Sequence, residues 1–308
     1  MRSPESTRST IDAANVRAAE LPEATLYVVA TPIGNMADIT ARALQVLRSA
    51  DAIAAEDTRT SAPLLAHHGI ATRLFAAHEH NEAQAATRII ELLRAGSRVA
   101  LISDAGTPAI SDPGARIVTA VRAAGFAVVP VPGANAAAAA LSASGFEGPF
   151  HFAGFLPPKS AARRTALRTL ASLPATLVLY EAPHRIVDLI ADLAAECAPE
   201  RRLVLARELT KRFESIHATT VGEAPAWLQG DSNRQRGEFV VLLEAAAQPK
   251  GEETLTAEAE RVLGLLLAEL PVKGAARLTA EITGAARKAL YARALELKAG
   301  AEEEPDAT

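Results

Sequence analysis

The sequence predicts an α/β protein: two α/β domains, the first on a largely parallel sheet and the second on a mixed one, then a small C-terminal helical module. Three observations carry this. Short apolar runs alternate with amphipathic segments through the first half, the pattern of a parallel sheet covered by helices. Past residue 150 strands outnumber helices, so neighbouring strands there turn back on one another. After residue 254 only helical periodicity is left. The 308 residues accommodate all of these parts.

In order, residues 1–23 are polar and rich in Ala, Ser and Thr, and read as a loose extension. The first domain, 24–133, has strands at Leu26–Thr31, Asp51–Asp57, Arg73–His78, Val99–Asp104 and Ala127–Pro132. Helices fit Ile39–Arg48, Glu82–Arg94 and Pro113–Ala124. The last of these has Asp112 placed to cap it, Pro113 at its first position and Gly125 as its stop. Asp112 is therefore read as structural. The second domain, 134–246, has strands at Phe150–Phe155, Ala175–Glu181, Arg202–Arg207, Ile216–Val221 and Glu238–Glu244. Helices at Ser160–Leu170 and His184–Ala195 interrupt them. A linker (247–254), a helical module (255–298) with Gly284 between two short helices, and an acidic tail (299–308) complete the chain.

Composition narrows the function. With 49% hydrophobic and 22% charged residues the chain builds an ordinary core. Its single Cys197 excludes a disulfide framework and a thiolate-rich zinc site. The N-terminus has no apolar signal region and no apolar run nears the roughly 18 residues of a membrane span. A soluble, cytoplasmic protein without membrane attachment is expected. The net charge of −4 resides in the tail acids Glu302, Glu303, Glu304 and Asp306, so the body is balanced. Nucleic acid is then neither announced nor excluded, although Lys159, Arg163, Arg164 and Arg168 form one basic cluster.

Several chemistries are missing. No G-x-G-x-x-G follows the first strand, no P-loop motif is present, and no G-x-S-x-G occurs. The run H-E-H-N-E (His78–Glu82) puts two histidines on one strand face, but without further ligands a hydrogen-bonding cluster is favoured over a metal site. What stands out is the set of strand-end loops: Thr31–Asp38, Glu56–Arg59, His78–Glu82, Ser103–Asp112 and Pro132–Ala138. In a parallel sheet such loops gather at one edge, around one crevice. Gly and Ala leave their amides open to a ligand, and Asp57, Arg59, Asn81, Glu82 and Asp104 bring polar and charged groups.

These loops carry recognisable motifs: V-A-T-P-I-G-N, A-E-D-T-R, H-N-E, S-D-A-G-T-P-A-I-S-D-P-G, V-P-G-A-N-A, G-F-L-P-P-K, Y-E-A-P-H-R and A-R-E-L-T-K. Together, over roughly Leu26–Glu244, they resemble the ribosomal RNA small-subunit 2′-O-ribose methyltransferase I family of the tetrapyrrole methylase superfamily. The segment L-T-A-E-I-T-G…K-A-L-Y is similar to that family's helical end module. The resemblance implies two α/β domains of tetrapyrrole-methylase type, S-adenosylmethionine bound between them, and a homodimer. It implies methylation of the ribose 2′-hydroxyl of a decoding-centre cytidine of 16S rRNA (position 1402 in the usual rRNA numbering) in the 30S subunit. Cofactor contacts would fall on Pro32, on Ala105, Gly106, Thr107 and Ile110, and on Asn135 and Ala136. The second domain would add Glu181, Ala182 and Leu209. The first loop lacks the G-x-G-D of the tetrapyrrole-modifying members, which argues against a tetrapyrrole substrate.

Methyl transfer from a sulfonium is an in-line displacement in which positioning does most of the work, while the hydroxyl needs a proton acceptor or a nearby cation. By position, Asp104, Asp57 and Glu82 are candidate bases, and Arg59 and Lys159 candidate cations. Lys159, Arg163, Arg164, Arg287 and Lys288 are candidate phosphate contacts. Two other readings stay open: a methylase of tetrapyrrole-like small molecules, and a non-catalytic nucleic-acid-binding protein. Removal of Leu255–Thr308 separates binding-only from catalysis, since only a methyltransferase would keep its affinity for S-adenosylmethionine.

Overall fold

The computed structural model describes residues 21–246 and 255–302. Most of the expected N-terminal extension, the 247–254 linker and the tail from 303 lie outside the described residues. The chain divides into two compact units, with the boundary in sequence between Ala245 and Ala246.

The first unit holds two five-stranded sheets. Strands β1 (Thr25–Val29), β2 (Ala52–Ala55), β3 (Leu74–Ala76), β4 (Arg98–Ile102) and β5 (Ala127–Val131) form the first, in the order β3-β2-β4-β1-β5. All of its pairings are parallel, with Leu26 opposite both Val99 and Val128. Alternate residues feed opposite faces. Tyr27, Ile53 and Ile102 pack with Val46 and Leu47 of α1 (Ala41–Ser49) and Leu65 of α2 (Thr58–His67). Leu26, Ala54 and Leu101 pack instead with Ile89 of α3 (Glu82–Arg94) and Ile117 of α4 (Ala115–Ala123). Leu21–Glu23, expected to be loose, are tied down. Arg98 Nε donates to the Leu21 carbonyl at 2.8 Å, and its guanidinium pairs with Glu23 at 3.0 Å.

The second sheet is mixed, as expected. Strands β6 (Phe150–Phe155), β7 (Thr176–Glu181), β8 (Arg202–Arg207), β9 (Ser215–Thr220) and β10 (Phe239–Leu243) lie in the order β6-β7-β10-β8-β9. Only β6–β7 is parallel. One face is covered by α6 (Ser160–Leu170), α7 (Ile186–Glu196) and α8 (Ala224–Gln229). The other is covered by α5 (Ala136–Ser142), whose Ala137 and Ala140 pack on Val178, Val204 and Val240. Helix α5 follows β5 directly, so the chain leaves the first sheet and at once roofs the second.

Helices α2, α5 and α8 were not expected. Asp57 caps α2, its carboxylate accepting from the Arg59 amide at 2.8 Å, and the helix accommodates Pro63 in its interior. Asn135 caps α5, accepting from the Ala138 amide at 3.0 Å, and five alanines then carry it by intrinsic propensity.

The second unit has α9 (Ala257–Glu269), α10 (Val272–Thr283) and α11 (Arg287–Glu302), packed through Leu263, Ala275, Ala276, Leu290 and Ala294. Gly284 closes α10 with φ +73°, the left-handed cap that turns the chain into α11. Helix α11 runs four residues into the expected tail. Among the described residues no helix is long and apolar enough to cross a membrane.

Candidate active site

A cavity of about 290 Å³ opens where the C-terminal ends of β4 and β5 meet the C-terminal end of β7 and the N-terminal end of the antiparallel β10. Its first wall is the segment from Ser103 to Gly114. A two-bond bridge ties this segment to the end of β1: the Thr31 amide donates to the Gly106 carbonyl at 2.8 Å and Gly106 returns the bond at 3.1 Å. Thr107 Oγ1 donates to the Ala134 carbonyl at 3.2 Å, adding the β5 loop to the same wall. The segment folds back on itself, with Ala109 and Ser111 at φ +68° and +64°. Two non-glycine residues in the left-handed region mark stored backbone strain. The fold also makes room for the turn. A Cβ on Gly154 of β6 would lie 2.9 Å from Ser111 Oγ, so the bulged β6 strand needs glycine there to approach the loop.

The second wall comes from the mixed sheet. The Tyr180 hydroxyl accepts from the Ala137 amide at 3.1 Å, and burial raises its pKa. Its ring meets Phe155 edge-on at 5.8 Å, and Phe155 is itself more than half exposed at the rim. Glu181 is buried. Its Oε1 accepts from the Ala182 amide at 2.9 Å and lies 3.1 Å from Arg185 Nε, an ion pair without hydrogen-bond alignment. Glu181 Oε2 has no partner. Lys211 Nζ bridges Glu208 at 2.9 Å and Glu238 at 2.8 Å. Burial pulls its pKa down, but the two carboxylates outweigh that and leave it raised. Gly34 of the first loop lies under this lysine, where a Cβ would come within 2.5 Å of Lys211 Cγ.

Three acids cluster at the β2 and β4 ends. Asp104 accepts from the Asp57 amide at 3.0 Å, and its own amide donates to Glu56 Oε2 at 3.2 Å. Burial pushes Glu56 up from the usual carboxylate value. Asp112, half-buried in the cavity wall, is pushed up to about 6, first by burial and then by the charges of Glu56 and Asp104. The Ser103 hydroxyl partly opposes the shift; that hydroxyl also lies 3.3 Å from the Ala105 carbonyl.

A family model described as tetrapyrrole (corrin/porphyrin) methylases matches residues 25–225, and one described as the RsmI C-terminal HTH domain matches residues 253–298. The ribosomal RNA small subunit methyltransferase I of Pseudomonas aeruginosa is 55% identical over 273 residues, 88% of this chain and 97% of that protein. Its namesake from Escherichia coli O157:H7 is 51% identical over 281 residues, 91% and 98% of the two chains. The chain belongs to this methyltransferase family. Among solved structures, the uroporphyrin-III C-methyl transferase of Thermus thermophilus complexed with S-adenyl homocysteine superposes with a TM-score of 0.51. It is 20% identical, over 71% of this chain and 96% of that one, a likeness that establishes the fold.

The structure places the residues that the family resemblance singled out as follows. Ala105, Gly106, Thr107, Ile110, Asn135, Ala136, Glu181, Ala182 and Leu209 line the cavity. Pro32 does not, and its neighbour Ile33 does.

The expectations drawn from position need correction. The crevice does not take in every strand-end loop, because β2 and β3 lie on the far side of β4 from β1. Neither Asp104, Asp57, Arg59 nor Glu82 lines the cavity. Asp57 is bound by Arg59 Nη2 at 2.6 Å, which holds it down at about 2. Glu82 is buried and accepts from the Gly114 amide at 2.7 Å, so it, and not Asp112, satisfies the start of α4. Asp112 thereby loses its expected capping role. In the H-E-H-N-E run, Asn81 Oδ1 accepts from the His78 amide at 2.8 Å, a local hydrogen-bonding turn. Among the described residues no group of three or more acidic, His or Cys side chains is placed to hold a metal.

Of the candidate phosphate contacts, Arg163 is withdrawn. Its side chain is 2% exposed and pairs with Asp192 at 2.6 Å inside the α6–α7 contact. Arg164 is exposed and pairs with Glu196, while Lys159, Arg287 and Lys288 are exposed. Sequence reasoning missed Asp112, Tyr180, Phe155 and Lys211 as cavity residues. All four lie within the quoted motifs, but only the fold shows that they line the cavity.

Proposed function

We propose that this protein transfers a methyl group from S-adenosylmethionine to the ribose 2′-hydroxyl of the decoding-centre cytidine of 16S rRNA, acting on the 30S subunit in the cytoplasm. The observation that carries this is the near full-length likeness to two proteins named ribosomal RNA small subunit methyltransferase I. The cavity supports it. The bound donor supplies an electrophilic methyl on a positively charged sulfur, and the walls fit such a cation. Buried Glu181 keeps one carboxylate oxygen without a partner. The loop Ala105–Ile110 presents backbone and small side chains for close approach, with Gly106 opposite Ile33. The homodimer belongs to the same reading.

The test is transfer of labelled methyl from S-adenosylmethionine to 30S subunits lacking the mark, with the product nucleoside identified. Label on a cytidine 2′-oxygen is the expected result. Label on a base, or none while the donor still binds, overturns the assignment.

A further inference from the structure

We propose that Asp112 takes the proton from the ribose 2′-hydroxyl as the methyl group is transferred. This rests on the function proposed above and names the group that completes it. Three carboxylates line the cavity, and their partners separate them. Glu181 is held by Arg185 and the Ala182 amide, and Glu238 by Lys211. Each of these two is thus already engaged by a cation. Among the described residues Asp112 is in no ion pair and accepts from no backbone N–H, and the neighbouring Ser103 hydroxyl, which partly opposes the rise in its pKa, donates to the Ala105 carbonyl at 3.3 Å.

Burial raises its proton affinity first, and the neighbouring acids raise it further. Glu56 at the end of β2 and Asp104 beyond β4 are both acidic, and Tyr180 of β7 presents a phenol that stays protonated. No cation is among the groups acting on it. The result is a carboxyl at about 6, close to the working pH, where a base is both ionised and able to hold a proton. The backbone strain at Ala109 and Ser111 and the close approach of Gly154 fix the segment that carries it. Such strain persists only where the surroundings over-determine the conformation.

In the step, an oxygen electron pair of the 2′-hydroxyl forms the new bond to the methyl carbon. The carbon–sulfur bond breaks with its pair kept on sulfur. The hydroxyl proton passes to Asp112, which later releases it to water. Charge balances: a cationic sulfonium and a carboxylate become a neutral thioether and a carboxylic acid.

The experiment compares wild type, Asp112→Asn and Asp112→Glu for single-turnover methyl transfer to unmarked 30S subunits across pH 5–8.5, with donor affinity by calorimetry. Asp112→Asn should lose about 10²- to 10⁴-fold in rate while its donor affinity stays within about threefold, the factor that separates contact from chemistry. The wild-type rate should rise with pH and flatten above about 6, and Asp112→Glu should keep such a limb at a reduced rate. Asp112→Asn within about fivefold of wild type, a residual rate in it that retains the acid limb, or donor affinity that falls in step with rate overturns the role of Asp112 alone. A wild-type enzyme that binds donor and transfers nothing to the subunit overturns the proposed function, and this inference with it.

Discussion

At Asp112 the fold holds a carboxyl where its anion is disfavoured, and this has a thermodynamic signature apart from catalysis. Its folded value is about 6, against 3.8 for the unperturbed side chain. Between those values the folded chain holds a proton that the unfolded chain has released. Stability from this residue therefore falls as pH rises from about 4 to 6 and stays reduced above that. With its partial exposure discounted, the ionised group costs about 1–2 kcal/mol at neutral pH. Asp112→Asn should accordingly raise Tm at pH 7.5 by about 2–6 °C, with the gap to wild type closing towards pH 4. Scanning calorimetry checks it, and equal Tm values at pH 7.5 would mean that water reaches the carboxylate freely. The sequence concealed this residue because Asp-Pro-Gly has the chemistry of a helix start. Glu82 instead accepts from the amide of Gly114, thirty-two positions further along the chain, a contact that no local pattern encodes.

Arg163 and Asp192 make the corresponding case for whole elements. Between α6 and α7 they form a buried pair, supplemented by Ser160 Oγ donating to Asp192 at 2.9 Å. Arg163→Met should cost about 3–5 kcal/mol in urea unfolding, because Asp192 is left charged and buried. The double variant Arg163→Met/Asp192→Leu should recover most of that, and a single variant within 1 kcal/mol of wild type would refute the pair's importance. In the sequence Arg163 was one of four cations within ten residues, and nothing local told the inward one from the outward ones. The elements themselves were far more legible. Helices α3 and α6 and strands β6 and β8 run as expected, since strong apolar periodicity governs them. What escaped notice was weakly periodic: α2 with Pro63 inside it, α5 made of alanines, and the short α8 with Pro225 near its start. Alanine marks no face, and proline reads as a breaker.

For the molecule as a whole, the two units have separate cores. Removal of residues 255–308 should therefore leave affinity for S-adenosylmethionine within about threefold, because every cavity residue lies in the first unit. Transfer to the 30S subunit should fall and lose salt sensitivity as Arg287, Lys288 and their neighbours go. Calorimetry and label transfer at two salt concentrations read both, and loss of donor binding would refute the division of labour. The topology of the second sheet has its own consequence. β10 is its middle strand and the last of the ten to be made, and its first residues, Phe239 and Val240, line the cavity. A nascent chain cannot close that sheet by adding at an edge; it must insert the final strand between β7 and β8. Until some 240 residues have left the ribosome there is no pocket to fill, so competence to bind a ligand certifies that synthesis of the catalytic unit has finished.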